Sequence, residues 1–172
     1  YAGSSEISWE GLREISSSTL SASNIGVSFW SHDVGGNHGG VEESELYIRY
    51  VELGCFSPIL RFHAARGVYY KREPWRWDVK TETIVNDYLR FRHRLIPYLY
   101  TESYRYYKEG KCLVEPFYYR YPWVIDDNKY RYQYFFGKEL LICPITKKKD
   151  LTMNRTIHEF YIPEGNTYIT ST

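Results

Sequence analysis

The side chains with the clearest capacity for chemistry lie in two short stretches. His32, Asp33 and His38 fall in His32-Asp33-Val34-Gly35-Gly36-Asn37-His38-Gly39-Gly40, and Arg61 and His63 follow in a second stretch. A carboxylate accepts hydrogen bonds, and a neutral imidazole both donates and accepts. The set therefore suits a ligand rich in hydroxyls. With a further donor in place it would also suit a metal ion. The plainer reading is a surface loop with incidental polar side chains, because four glycines in nine residues disfavour regular structure. Position lifts Asp33 above that reading. It comes just after a short apolar run, Val27-Ser28-Phe29-Trp30, and His63 stands in the equivalent place after Phe56 to Phe62. In parallel α/β folds, ligands gather at the carboxyl ends of strands.

Other motifs point less sharply. Glu73-Pro74-Trp75-Arg76-Trp77 reads either as a sugar-stacking surface or as a loop packed by its own aromatics. Lys147-Lys148-Lys149 lacks the interleaved aromatics of a nucleic-acid site and reads as a solvated turn. No phosphate loop, G-x-S-x-G or H-E-x-x-H is present.

The elements that must position these residues follow from periodicity. A helix is predicted from about Ser8 to Asn24, with Ser8 as N-cap, Glu10 in the first turn and Gly26 as the stop. Val27 to Trp30 reads as a short buried strand, with the glycine-rich stretch from His32 as a loop after it. A second helix is predicted over about Glu43 to Gly54, with Leu46, Tyr50 and Leu53 on one face and Gly54 as C-cap candidate. Phe56 to Phe62 reads as a strand. A long helix is predicted from about Thr81 to Glu109, with Ile84, Tyr88, Phe91, Leu95 and Leu99 on one face, and Pro97 kinking it or breaking its ladder. Alternating helices and strands indicate parallel βα units. After Gly110 the helical period is lost. Short apolar and aromatic runs at Cys112 to Tyr121, Tyr132 to Phe136, Leu140 to Ile145 and Glu159 to Ile162 read as β structure.

Composition narrows the function classes. The 172 residues carry 22 Lys+Arg and 21 Asp+Glu, a net charge of +1, which gives no footprint for nucleic acid or an anionic membrane. No apolar run is long enough to span a bilayer. No basic segment followed by an apolar one opens the chain as a secretory signal would. Aromatic residues make up 19%, so rings are available for a core or for stacking, and without a basic excess a sugar fits them better than a base. Cys55, Cys112 and Cys143 are odd in number and form no C-x-x-C pair. They suggest neither a disulfide framework nor a zinc knuckle, and they incline the reading toward a reducing, cytoplasmic compartment.

Taken in order, the motifs resemble glycoside hydrolase family 31, the α-glucosidase and α-xylosidase family. They are Ser21-Ala22-Ser23-Asn24-Ile25-Gly26, then Phe29-Trp30-Ser31-His32-Asp33-Val34-Gly35-Gly36, Glu45-Leu46-Tyr47-Ile48-Arg49-Tyr50 and Phe56-Ser57-Pro58-Ile59-Leu60-Arg61-Phe62-His63. Arg72-Glu73-Pro74-Trp75, Arg94-Leu95-Ile96-Pro97-Tyr98-Leu99-Tyr100 and Tyr134-Phe135-Phe136-Gly137 before Leu140-Leu141-Ile142-Cys143-Pro144-Ile145 continue the match over nearly the whole chain.

The resemblance implies an α/β fold: residues 1–109 as the C-terminal portion of a (β/α)8 barrel, and 110–172 as the start of the following β-sandwich. It implies part of a retaining α-glycosidase that removes terminal α-linked glucose or a related sugar, working with the remainder of the same polypeptide on an oligosaccharide or small glycoside. No metal or other cofactor, nucleic acid or membrane enters that picture. Asp33 and His63 match sugar-binding positions, and Tyr1 the aromatic position before the general acid. Many members carry Phe four residues after Asp33, where this chain has Asn37, so the pocket departs from the family's shape there. The nucleophile belongs to strand four, ahead of these segments. The general acid is an Asp after a Gly, five residues before the Trp of Ser8-Trp9-Glu10, and that position here carries Ser4. A serine hydroxyl cannot act as a general acid at neutral pH. An engineered substitution, a natural loss of catalysis that leaves a carbohydrate-binding relative, and a different register at the amino terminus all fit. Glu6 is the nearest carboxylate.

Overall fold

Ser8 opens the first helix as its type suggests. In the computed structural model, which describes residues 2–164, its hydroxyl accepts from the Gly11 amide at 2.9 Å, and helix α1 runs over Trp9–Asn24. The chain then differs from expectation. Val27 to Trp30 is not a strand; strand β1 is Ser31–Val34, and all four of its residues are buried. His32 and Asp33 are therefore in the strand and not in a loop after it. Helix α2 spans Ser44–Cys55 and strand β2 spans Ile59–Phe62, later and shorter than the apolar run suggests. Gly54 lies inside α2 instead of capping it. A Cβ there would come to 2.7 Å from the Val34 side chain, so the glycine lets helix and strand approach.

β1 and β2 pair in parallel, with Ser31 opposite Ile59 and Asp33 opposite Arg61. On the other side of β1, the Ala2 amide donates to the Ser31 carbonyl at 2.9 Å. A turn of 3₁₀ helix at Pro74–Arg76 leads to α3, Val79–Arg94. Pro97 has the expected effect: the single long helix becomes α3 and α4, Ile96–Glu109, joined through Leu95. The fully buried positions of α3 are Thr81 and Val85, beside the expected stripe rather than on it. Arg92 packs inward as well. Its guanidinium donates to the carbonyls of Cys55, Ser57 and Pro58 at 2.7, 2.7 and 2.8 Å, closing the C-terminus of α2 with a cation.

Beyond Gly110 the sheet is antiparallel. β3, Val114–Pro116, β4, Tyr134–Phe136, and β5, Leu140–Ile142, follow that order in space. Each strand is shorter than the apolar run that contains it, and Glu159 to Ile162 forms no strand. β4 alternates faces: Tyr134 and Phe136 join a core shared with α1, α2 and Val85, whereas Phe135 joins Phe117 and Val124 in a second cluster. The three cysteines are free. No helix among the described residues is long and apolar enough to cross a membrane.

Candidate active site

Strand parity sorts the polar residues of β1. Val34 faces α2 through Gly54, and His32 shares its parity. His32 Nε2 lies 3.0 Å from Ser57 Oγ, and that hydroxyl donates to the Leu53 carbonyl at 2.8 Å. The serine oxygen therefore accepts, which assigns the imidazole proton to Nε2. Burial lowers the His32 pKa from 6.5 to about 4 against the opposing effect of Asp33, so the ring is neutral at physiological pH.

Asp33 occupies the opposite face and is fully buried. Arg61, its partner across the ladder, donates from Nη2 to Asp33 Oδ1, with its own side chain 41% exposed. Asn37 Nδ2 donates to Oδ2 at 2.8 Å. A carboxylate at the end of a parallel strand is thus held at both oxygens by charge-assisted hydrogen bonds. His63, exposed, continues β2 with the parity of Arg61 and so belongs to the same face and the same strand end as Asp33.

The glycine loop after β1 is fixed by a pair that sequence reasoning does not single out. Arg72 and Glu42, both buried, meet at 3.0 Å, and Arg72 Nε donates to the Gly36 carbonyl at 3.1 Å. Gly36 has φ +81, and a Cβ there would come to 2.9 Å from Ile7 Cα, so the loop passes too close to the segment before α1 for a side chain. That segment carries Ser4, exposed, after Gly3 at φ +82. Next to it, the Ser5 carbonyl accepts from the Asn37 amide at 2.8 Å and the His38 amide at 3.3 Å. Ser4, Asp33, Asn37 and His63 thus belong to connected segments, while Tyr1 lies outside the described residues.

Two other features divide differently. Trp77 stacks on Tyr47 of α2 at 4.8 Å between centroids, under Lys71, whereas Trp75 is exposed, so the Glu73 to Trp77 stretch packs on α2 and not on its own aromatics. A cleft of about 520 Å³ opens between the helices and β5, lined by Leu12, Leu53, Phe56, Phe91 and Ile142 with the Arg49–Glu52 pair at its wall. It contains none of the candidate residues and lies on the helix side of the sheet. Among the described residues, no group of three or more His, Cys, Asp or Glu is placed to hold a metal ion.

Residues 1–102 match the "Glycosyl hydrolases family 31 TIM-barrel domain", and residues 110–172 the "Glycosyl hydrolase family 31 C-terminal domain". Alpha-glucosidase 2 of Bacillus thermoamyloliquefaciens is 32% identical over 171 residues, covering 96% of this chain and 20% of that protein. An alpha-xylosidase of Saccharolobus solfataricus is 32% identical over 144 residues, covering 80% of this chain and 19% of that protein. The solved structure of a cycloalternan-degrading enzyme from Trueperella pyogenes, in complex with a covalent intermediate, superposes with a TM-score of 0.75 at 29% identity, covering 85% of this chain and 21% of that one. The chain spans about a fifth of the length of each of these relatives.

Proposed function

Because this chain belongs to glycosyl hydrolase family 31, we propose that it supplies part of the active site of a retaining α-glycosidase that removes a terminal α-linked sugar, glucose first, from oligosaccharides. The observation that carries this reading is the setting of Asp33. It is a fully buried carboxylate, held at the carboxyl end of a parallel strand, with His63 at the neighbouring strand end on the same face. In this reading Asp33 and His63 take the hydroxyls of the sugar being cleaved, and those hydrogen bonds strengthen as the ring approaches the oxocarbenium-like transition state. The covalent intermediate named for the Trueperella pyogenes enzyme is consistent with a retaining course. The remaining strands, including the one that carries the nucleophile, come from the rest of a complete barrel, since two parallel strands cannot close a cylinder. Residues 1–109 act as the last part of the barrel and 110–172 as the start of the next domain. Residues 1–172 on their own are expected to be inactive on any glycoside.

A second reading, a carbohydrate-binding relative without catalysis, is favoured by Ser4 at the position of the general acid. Both readings meet in one experiment on the complete barrel. With serine at that position, natural glycosides should be cleaved very slowly and substrates with a good leaving group less so. Ser4→Asp should then raise turnover of poor leaving groups by ~10²–10⁴-fold. Measurable turnover that Ser4→Asp leaves unchanged, with Asp33 and His63 intact, would show that Ser4 does not occupy the acid position. Sugar binding with no turnover in either form would establish the second reading.

A further inference from the structure

We propose that Asn37 is a positioning residue: it holds the Asp33 carboxylate for the sugar and ties it to the two flanking segments of the site. This rests on the sugar-binding reading of Asp33 given above. Three bonds from one residue carry it. The Asn37 side chain donates to Asp33 Oδ2 at 2.8 Å, its amide donates to the Ser5 carbonyl at 2.8 Å, and its carbonyl accepts from the Ala65 amide at 2.8 Å. Ser5 follows the acid position, and Ala65 lies two residues beyond His63. Asn37 therefore joins the segment before α1, the end of β1 and the segment after β2.

The geometry also explains why the residue is an amide. Asn37 is buried, so its NH₂ needs an acceptor, and Asp33 Oδ2 supplies one. Arg61 holds the other oxygen from the neighbouring strand, and donors on both oxygens fix the rotation of the carboxylate. An apolar side chain at residue 37 would leave Oδ2 without this donor. Asn37 thereby adjusts how the sugar is held, and its effect reaches the sugar through Asp33.

The test uses the complete barrel that contains this chain, assayed on a chromogenic α-glucoside whose good leaving group reduces the dependence on the acid position. Asn37→Asp keeps the shape but, when ionised, loses the donor. At neutral pH kcat/KM should fall about ten- to a hundredfold. As pH falls, the two adjacent carboxyls share a proton and an O–H donor returns, so the deficit relative to the unsubstituted protein should shrink. The charged and titratable groups around the pair are Arg61 from β2 and His63 just after it, His32 on β1, Arg72 against Gly36, and Glu6 and His38 where the loop meets the segment before α1. Asn37→Ala should show a similar loss at neutral pH with no recovery in acid. Thermal unfolding of each variant separates folding from turnover. Full activity of Asn37→Asp at neutral pH, parallel pH profiles for the two variants, or losses that merely follow the unfolded fraction would overturn the proposal. An unsubstituted protein that neither turns over nor binds the glucoside would overturn the sugar-binding reading and this one with it, whereas an active one with indifferent variants overturns this one alone.

Discussion

The strand ends of the barrel segment and the aromatic cluster after Gly110 bury different kinds of side chain. At the ends of β1 and β2 the buried groups are polar: His32, Asp33, Asn37, and the Arg72–Glu42 pair beneath the loop. Around β4 they are aromatic. Phe117 stacks with Tyr121 at 4.6 Å and Phe135 at 5.4 Å, and Tyr161 closes the cluster edge-on at 6.0 Å. Burying polar groups costs desolvation that hydrogen bonds only partly return, whereas burying rings stabilises outright. Fixed polar geometry at strand ends is what ligand recognition needs, and ring packing is what a supporting domain needs.

Three substitutions sharpen or break that contrast in a complete barrel. The largest stability effect belongs to Phe117→Ala, which removes a fully buried ring and should cost about 3–5 kcal/mol in denaturant unfolding. Turnover per folded molecule should not change; a specific fall in turnover would mean that the aromatic cluster reaches the site. Asp33→Ala should lower kcat by ~10²–10³-fold, the scale for removing one group that stabilises the transition state. His63→Ala, at an exposed position, should lower turnover while moving stability by no more than about 0.5 kcal/mol. Equal losses of turnover and stability for both would make the strand ends structural.

A further effect concerns pH. His32 is neutral when folded, with its pKa lowered from 6.5 to about 4, so the unfolded chain binds more protons between those values. Stability should therefore rise with pH across that window and be lost as pH falls through it, by about 3 kcal/mol at 1.36 kcal/mol per unit. His32→Gln should flatten the rise when unfolding is followed from pH 4 to 7. A slope that survives the substitution would assign it to other groups.

Much of this was legible in the sequence, and the misses share a cause. Helix positions follow from the 3.6-residue period, the Ser8 cap and the Pro97 break, all local signals. The strand that the sequence suggests falls too early because the apolar run Val27 to Trp30 resembles a buried strand better than Ser31-His32-Asp33-Val34 does. Phe29 is in fact 58% exposed and meets Tyr106 edge-on, while the true strand is polar where it forms the candidate site. The Arg72–Glu42 pair and the Arg92 cap join residues 30 or more apart, so no local pattern announces them. Gly54 looked like a cap because it sits near a helix end, but its closeness to Val34 exists only once helix and strand have packed.

In the function proposed above, the ends of β1 and β2 hold the sugar. A crystal structure of the complete barrel containing this chain, soaked with α-glucose, would show whether they do. Sugar hydroxyls are expected at about 2.6–3.0 Å from the Asp33 carboxylate, with His63 against the same ring. Glucose bound elsewhere, out of contact with Asp33 and His63, would rule that role out.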